Sequence, residues 1–412
     1  MYSHSFSKAQ DLIRLLRWAD LKFEHFALFE GNGSDLPAGS FDSLFFAGNK
    51  KIDAKSALSF EEGAVRVGII GYDFKNQIEN LQSKNPEFFP LPELCFFEPE
   101  ISFRITENGI WSKKPIPDQT LNDILNFPIP EDGNTSCEIY PQITREEYLQ
   151  RIKNIQHEIL EGNTYEANFC QAFYGKFESW DPISAFLKLN QLSPMPFAGL
   201  FKAGRQWLVS ASPERYLKKI GDRLIAQPIK GTIRRGKTPE EDEINQKLLL
   251  ASEKERAENL MITDLTRNDL SRVSKTGSVK VEELFGIYPL PGVFQMISTV
   301  SSELRPKIAL KEIIHATFPM GSMTGAPKIS TMNIIEREES FRRGWFSGAY
   351  GWIDESGDFD FSVVIRSIIA DLDTKKLYFG VGSAITIDAS AEQEYEECAL
   401  KAQAILELLR GN

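Results

Sequence analysis

The sequence predicts an α+β fold, a large sandwich of antiparallel sheet and helix, and three observations carry that reading. Two tight hairpins stand side by side in the middle of the chain, long helices with explicit start signals flank them, and glycine-punctuated strands return as a group near the end. Strands and helices that cluster in this way, instead of alternating, point away from a parallel α/β sheet.

In chain order, residues 8–26 read as a helix and 64–72 as a strand. Residues 115–141 are proline-rich and loosely patterned, either a linker or a long surface loop. Thr144 and Glu147 have the spacing of a capping box, Tyr148, Ile152, Ile155 and Ile159 make one apolar face, and Gly162 stops that helix. A strand follows at 164–177. Residues 197–210 read as a hairpin turning at Ala203 and Gly204, and 215–229 as another turning at Gly221 and Asp222, so neighbouring strands run antiparallel. From 239 to about 265 the pattern is helical and charged, with Leu250, Ala257, Met261 and Leu265 on one side. Strands at 348–353, 361–371 and 376–385 precede a last helix over 391–409, opened by a second capping pattern, Ser390 with Gln393.

The bulk numbers narrow the function. With 412 residues and 42% apolar content the chain can bury a core as one large domain or two ordinary ones. Its 47 basic against 58 acidic residues, a net charge of −11, argue against a nucleic-acid groove or an anionic membrane surface and favour a small ligand. Cys95, Cys137, Cys170 and Cys398 are far apart and form no C-x-x-C pair, which fits neither a disulfide framework nor a zinc site and suits a reducing cytoplasm. Charges interrupt every apolar stretch in the first thirty residues, so no signal peptide is read there, and the apolar segment 361–370 is short and holds Arg366, so no membrane span is expected. Only four histidines exist, so proton transfers should fall to carboxylates and lysines.

Four groups of residues are candidates for chemistry. Glu394 and Glu397 share a face of the last helix with Lys401 a turn beyond, and Glu258 sits at the margin of an apolar stripe. Together the three glutamates suit a hard dication such as Mg²⁺; the alternative is a solvated helical face laced with ion pairs. Glu214 and Lys230 stand at opposite ends of the second hairpin, where a lysine with a lowered pKa would be a nucleophile and the glutamate an acid, or where Lys230 is simply a surface lysine before a turn. The loops 321–328 and 380–384 carry glycines that let backbone N–H groups approach an anion, with Lys328 or Arg366 as countercharge; turn-making alone also explains them.

The segments Gly162-Asn163-Thr164-Tyr165-Glu166-Ala167-Asn168, Ser212-Pro213-Glu214-Arg215, Pro228-Ile229-Lys230-Gly231-Thr232, Ser252-Glu253-Lys254 with Arg256-Ala257-Glu258-Asn259-Leu260-Met261, Asp264 with Arg267-Asn268-Asp269, Gly321 to Lys328 and the closing Glu394, Glu397 and Lys401 occur in one order. In that order they resemble the chorismate-binding enzymes, the family of the anthranilate, aminodeoxychorismate and isochorismate synthase large subunits. The resemblance implies a single sandwich with residues 1–130 woven into it and a chorismate-binding catalytic region over 131–412. It implies that Glu258, Glu394 and Glu397 hold Mg²⁺ against a substrate carboxylate, and that Thr232, Thr324, Gly325, Ala326, Lys328, Arg366, Gly382, Ser383 and Lys401 bind the rest of chorismate.

Position 230 discriminates within the family, since the anthranilate relatives carry alanine there and the para-aminobenzoate branch carries lysine. The implied reaction is amination of chorismate: Lys230 adds at C2 while Glu214 protonates the departing C4 hydroxyl, and ammonia then enters at C4, on the route to para-aminobenzoate and folate. No Gly-x-Cys-x-Gly nucleophile elbow is present in the sequence, so a separate glutaminase (glutamine amidotransferase) subunit is expected to supply ammonia. Gln295, Phe346 and Ala384 depart from the family's histidine, tyrosine and glycine. Anthranilate or isochorismate synthesis, and a catalytically silent chorismate-binding subunit, are the alternatives that the same resemblance leaves open.

Overall fold

The alternation of side chains along single strands decides the layering. In the strand His25–Glu30, Ala27 and Phe29 enter one apolar core while Phe26 and Leu28 enter another. A strand sends successive residues to opposite faces, so a segment buried on both reads as an unbroken apolar run. The first core lies between two antiparallel sheets, joining Phe29 and Leu208 of one to Ile69 and Leu224 of the other. The second lies between the outer face of one sheet and helices that contribute Leu15, Tyr148, Phe186 and Ile405. The computed structural model describes residues 2–59, 63–129 and 133–411, and in them one sheet has twelve strands and the other ten.

The N-terminal region supplies interior strands to both sheets. His25–Glu30 pairs with Phe197–Ala203, and Arg66–Ile70 pairs with Ala349–Ile353. The boundary expected at residue 130 lies outside the described residues. Within 115–141 the chain forms a short helix, Asp118–Leu125, and a strand, Glu138–Pro141, that pairs with Glu166–Lys176, so more of it is ordered than its composition suggests.

The capping box at Thr144 and Glu147 is made in both directions, with the Glu147 N–H donating to Thr144 Oγ1 and the Thr144 N–H donating to Glu147. The hairpin Phe197–Ala203 with Gln206–Ser212 also forms, turning one residue later than expected, at Gly204 and Arg205. Other boundaries moved for identifiable reasons. The first helix ends at Lys22, where Phe23 turns extended and leads into the next strand. The second hairpin closes early: Arg215–Ile220 pairs with Arg223–Ala226, and after Gln227 and Pro228 the separate strand Ile229–Arg234 pairs with Val293–Glu303. The helical stretch after 239 is two helices, Pro239–Ala251 and Glu253–Ser271, because Ser252 ends the first and caps the second through the Glu255 N–H. Ser390 makes no side-chain cap for the last helix, Ala391–Arg410.

One break matters most for the site. The single strand expected over 361–371 is two, Phe359–Val363 in the ten-stranded sheet and Ser367–Asp371 in the twelve-stranded one. The chain crosses between sheets at Arg366, whose φ of 50° lies in the left-handed region that non-glycine residues seldom occupy. Among the described residues no helix is long and apolar enough to cross a membrane, and all four cysteines are buried and unbridged.

Candidate active site

Where the two sheets part, a cavity of about 570 Å³ opens, walled by strands on one side and by the helices Glu253–Ser271 and Ala391–Arg410 on the other. Lys230 enters it from a bulge. Ile229 pairs with Ile297 and Thr232 with Gln295, so three steps on one strand match two on its partner. Such an extra residue re-aims a side chain out of the regular pleat. Gly231 permits the bulge: its φ is +101°, and a Cβ there would meet Met296 Cβ at 3.1 Å and Glu255 Oε2 at 3.2 Å. Asn259 fastens the same point, its Nδ2 donating to the carbonyls of Lys230 and Met296 at 3.2 Å each. Glu258, one residue earlier on the helix, thereby faces the cavity with Lys230.

Glu214 reaches the cavity from the other strand end. The next residue, Arg215, is fully buried and forks onto Asp360 at 2.8 and 3.0 Å, with Gln227 as a further acceptor, so the backbone that carries Glu214 is tied to a neighbouring strand. Burial pushes the Glu214 carboxyl up to about 7, against the opposing pull of Ser322 and Lys230. An acid with that value still holds its proton near neutrality.

Lys230 is the main departure from expectation. Burial alone lowers its pKa, but the charges of Glu166, Glu258 and Glu214 outweigh burial, and the net shift is upward. The ammonium stands 3.1 Å from Glu166 Oε1. Sequence reasoning asked for burial or a neighbouring cation to depress this lysine; the structure surrounds it with carboxylates, so in this state it is a cation.

The three glutamates assigned to a metal all line the cavity, but each is engaged by a lysine or a like charge. Lys254 Nζ lies 2.9 Å from Glu394 Oε1 and 3.8 Å from Glu258 Oε1, and Lys401 Nζ lies 2.7 Å from Glu397 Oε1. Burial raises the Glu258 carboxyl to about 8, and one of its oxygens has no hydrogen-bond partner. Burial pushes the Glu397 carboxyl up, but Lys401, Lys254 and Lys230 together outweigh it and leave that carboxyl below its ordinary value. Among the described residues no three acidic, histidine or cysteine side chains are already gathered as a closed metal cage. The donor set nonetheless suits Mg²⁺, which takes one or two carboxylates and keeps waters and substrate oxygens for the rest of its shell.

Of the residues assigned to substrate, Arg366, Gly382, Thr232 and Lys401 line the same cavity, Thr232 at its exposed edge and Lys401 donating to the Gly382 carbonyl at 2.9 Å. Arg366 has no carboxylate within ion-pair distance among the described residues; its one polar neighbour is Met195 Sδ at 3.8 Å, and burial lowers its pKa to about 10. An unpaired guanidinium turned into a cavity is a receptor for an anion.

Five assignments do not reach the cavity wall. Ser383 lies between Gly382 and Ala384 on the strand Lys376–Ile385, so it faces the opposite side, 3.1 Å from the Tyr148 hydroxyl. Lys328 is paired with Asp269 at 2.5 Å. Thr324 is buried, its hydroxyl bonded to the carbonyls of Met320 and Gly321. Gly325 and Ala326 form a short strand on Ala167 and Glu166, and a Cβ on Gly325 would meet the Glu166 carbonyl at 2.1 Å. The loop therefore supports the wall, while its neighbours Ser322 and Met323 belong to the wall itself.

Sequence reasoning gave no role to Glu166, Lys254 or Glu255. Glu166 and Lys254 stood inside the ordered motifs, which was the available signal. Glu255 also lines the cavity, its carboxyl raised by burial and by Glu397.

The chorismate binding enzyme family matches the chain over residues 30–407. The aminodeoxychorismate synthase component 1 of Escherichia coli (strain K12) is 33% identical over 369 residues, 85% of this chain and 78% of that one. The anthranilate synthase component 1 of Aquifex aeolicus is 30% identical over 367 residues, 83% of this chain and 74% of that one. The crystal structure of anthranilate synthase component I from Streptococcus pneumoniae TIGR4 superposes with a TM-score of 0.76 at 23% identity, over 93% of this chain and 90% of the other.

Proposed function

The chain belongs to the chorismate-binding enzymes, and from that premise we propose that it aminates chorismate at C4, as the large subunit of an aminodeoxychorismate synthase. The observation that carries this reading is the meeting of one amine, Lys230, and one near-neutral carboxyl, Glu214, in a single cavity. The similarity to component 1 proteins supports it, and so does lysine at the position where anthranilate relatives carry alanine.

The chemistry follows from the charges. Hydroxide leaves a ring badly without a proton, and Glu214 is poised to give one to the C4 oxygen. Lys230, once deprotonated, attacks C2 as that water departs, which divides one hard displacement into two easier ones. Ammonia then forms the bond at C4 as the C2–N bond breaks, and its surplus proton returns to Glu214. Arg366 and Lys401 supply countercharge for the substrate carboxylates. Glu258, Glu394 and Glu397 would hold Mg²⁺, which when bound neutralises part of the substrate's charge. Gln295, buried on the same wall with an unpartnered carbonyl oxygen, has no basic nitrogen with which to strip a ring proton, which favours a product that keeps its enolpyruvyl group. A glutaminase subunit would deliver the ammonia, in a compartment we take to be the cytoplasm.

The deciding experiment is mass spectrometry of the product formed from chorismate, Mg²⁺ and ammonium. The expected product is 4-amino-4-deoxychorismate. Anthranilate with released pyruvate, isochorismate, or binding without turnover would each replace this reading with another.

A further inference from the structure

A protonated Lys230 cannot attack carbon, so the reaction proposed above needs a proton acceptor for it. We propose that Glu166 is that acceptor, the base that generates the free amine of Lys230 inside the cavity. The inference rests on the reading of Lys230 as nucleophile and adds a catalytic residue to it.

Three observations single out Glu166. With an oxygen at 3.1 Å, it is, among the described residues, the only carboxylate within 4.0 Å of the Lys230 nitrogen. Its side chain is 0% exposed, and neither oxygen has an aligned hydrogen-bond donor, so both keep lone pairs free for a proton. Its backbone is held on both sides: Ala326 pairs with Glu166, Gly325 with Ala167, and the Thr164 hydroxyl donates to the Glu166 carbonyl at 3.0 Å. A carboxylate that merely balanced a surface lysine would need no such clamping.

Charge decides between this route and loss of the proton to solvent. Transfer from Lys230 to Glu166 turns a cation and an anion into two neutral groups, so the cavity's net charge does not change. Loss to bulk water removes a positive charge from a space where Lys254, Arg366 and Lys401 face Glu255, Glu394 and Glu397, and which must also accept a dianion. Coulomb interactions at low effective dielectric make the second route the costlier one.

The proton account closes. Lys230 gives one proton to Glu166 and its nitrogen lone pair bonds to C2, while Glu214 gives one to the C4 oxygen, which leaves as water. When ammonia bonds to C4 and the C2–N bond breaks, the lysine departs as a neutral amine and recovers its proton from Glu166. The new C4 ammonium returns a proton to Glu214, so both carboxyls end as they began.

The test is the rate of covalent adduct formation on the intact protein with chorismate and Mg²⁺, without ammonia, followed by intact mass. Glu166→Gln keeps the shape and removes the base, and should slow adduct formation by about 10²–10⁴-fold, the usual contribution of a positioned base, with chorismate affinity by calorimetry little changed. Glu166→Asp keeps a carboxylate at the cost of length and should lie between the two. A merely structural role predicts the opposite ranking, because glutamine fills the site better than aspartate. An adduct formed by Glu166→Gln at the wild-type rate, or faster by Gln than by Asp, overturns the inference. A wild-type protein that forms no adduct at all overturns the Lys230 reading and this inference with it, and the two failures are told apart by the wild-type arm alone.

Discussion

The strand wall and the helix wall of the cavity hold charge in opposite ways. On the strand wall the side chains of Glu166 and Lys230 are 0% and 10% exposed, and bulge, clamp and buried Arg215–Asp360 pair fix the backbone behind them. On the helix wall Lys254, Glu397 and Lys401 are 46%, 42% and 31% exposed, and flexible lysines sit on carboxylates that a metal or a substrate would claim. Buried, anchored groups keep one geometry, whereas half-exposed ion pairs of this kind are worth only about 0–1 kcal/mol and exchange partners readily. The reacting groups therefore stand on the buried, anchored strand wall, and the metal ligands on the wall where exposed lysines can be displaced.

If that division is right, truncation on the strand wall should destroy turnover without weakening binding. Lys230→Ala carries the largest expected effect, a loss of roughly 10³-fold or more in ammonia-dependent turnover, on the scale seen when a nucleophile is removed. Intact mass should find no adduct in that variant, while calorimetry finds chorismate still bound. A turnover close to wild type would remove covalent catalysis from the account.

Glu214 comes next. Replacing it with glutamine should cost about 10²–10⁴-fold, because glutamine cannot supply the leaving group's proton. The pH profile sharpens the point. Burial holds Glu214 at about 7, and the acid form is the donor, so turnover should be full below that value and fall as the pH rises through it. In Glu214→Gln this falling limb should vanish. A profile that keeps the limb would assign it to another group.

How far the sequence foretold these walls depends on what held each residue in place. Glu214, Lys230, Glu258 and Arg366 were legible because motif residues mark positions, and positions survive errors in local structure. Their geometry was less legible. The hairpin thought to join Glu214 to Lys230 ends at Ala226, and it is a bulge against Val293–Glu303 that presents the lysine, a long-range pairing no local pattern reveals. Ser383 went to the wrong face because strand register, with its period of two, is settled only by the sheet around it. Periodicity also misjudged the helix Glu253–Ser271: Leu250 before it is exposed, and the buried face includes Glu258, Asn259, Thr263 and Asp269, polar residues facing a cavity and its supports. Glu166 was missed because its partner, Lys230, lies on a strand far away in sequence.

On the helix wall a smaller and different response is expected. Glu258→Gln should raise the Mg²⁺ needed for half-maximal turnover by about tenfold, the lower end of what disturbance of a metal site costs, with the adduct still forming at saturating metal. Chelation should abolish turnover reversibly and leave the far-UV circular dichroism unchanged, because the two sheets are held together by an apolar core to which none of the three glutamates belongs.

The smallest effect is the most diagnostic, because its sign is at issue. Lys254 lies between Glu394 and Glu258 at 2.9 and 3.8 Å, the place a dication between those carboxylates would compete for. The Lys254 ammonium is half-exposed although Glu394 and Glu258 are buried, so displacing it changes binding by roughly 0.2–1 kcal/mol, or about 1.5- to 5-fold. If Lys254 is a placeholder, Lys254→Ala removes a competitor, and the Mg²⁺ requirement should fall by that factor in a titration of turnover at fixed chorismate. If instead the ammonium swings onto a substrate carboxylate when metal arrives, the Michaelis constant for chorismate should rise while the Mg²⁺ requirement stays put. The first result makes the helix wall a site that metal assembles by displacing a lysine; the second makes Lys254 part of the substrate's own clamp, and the contrast between a fixed wall and a yielding one would then hold for the metal ligands alone.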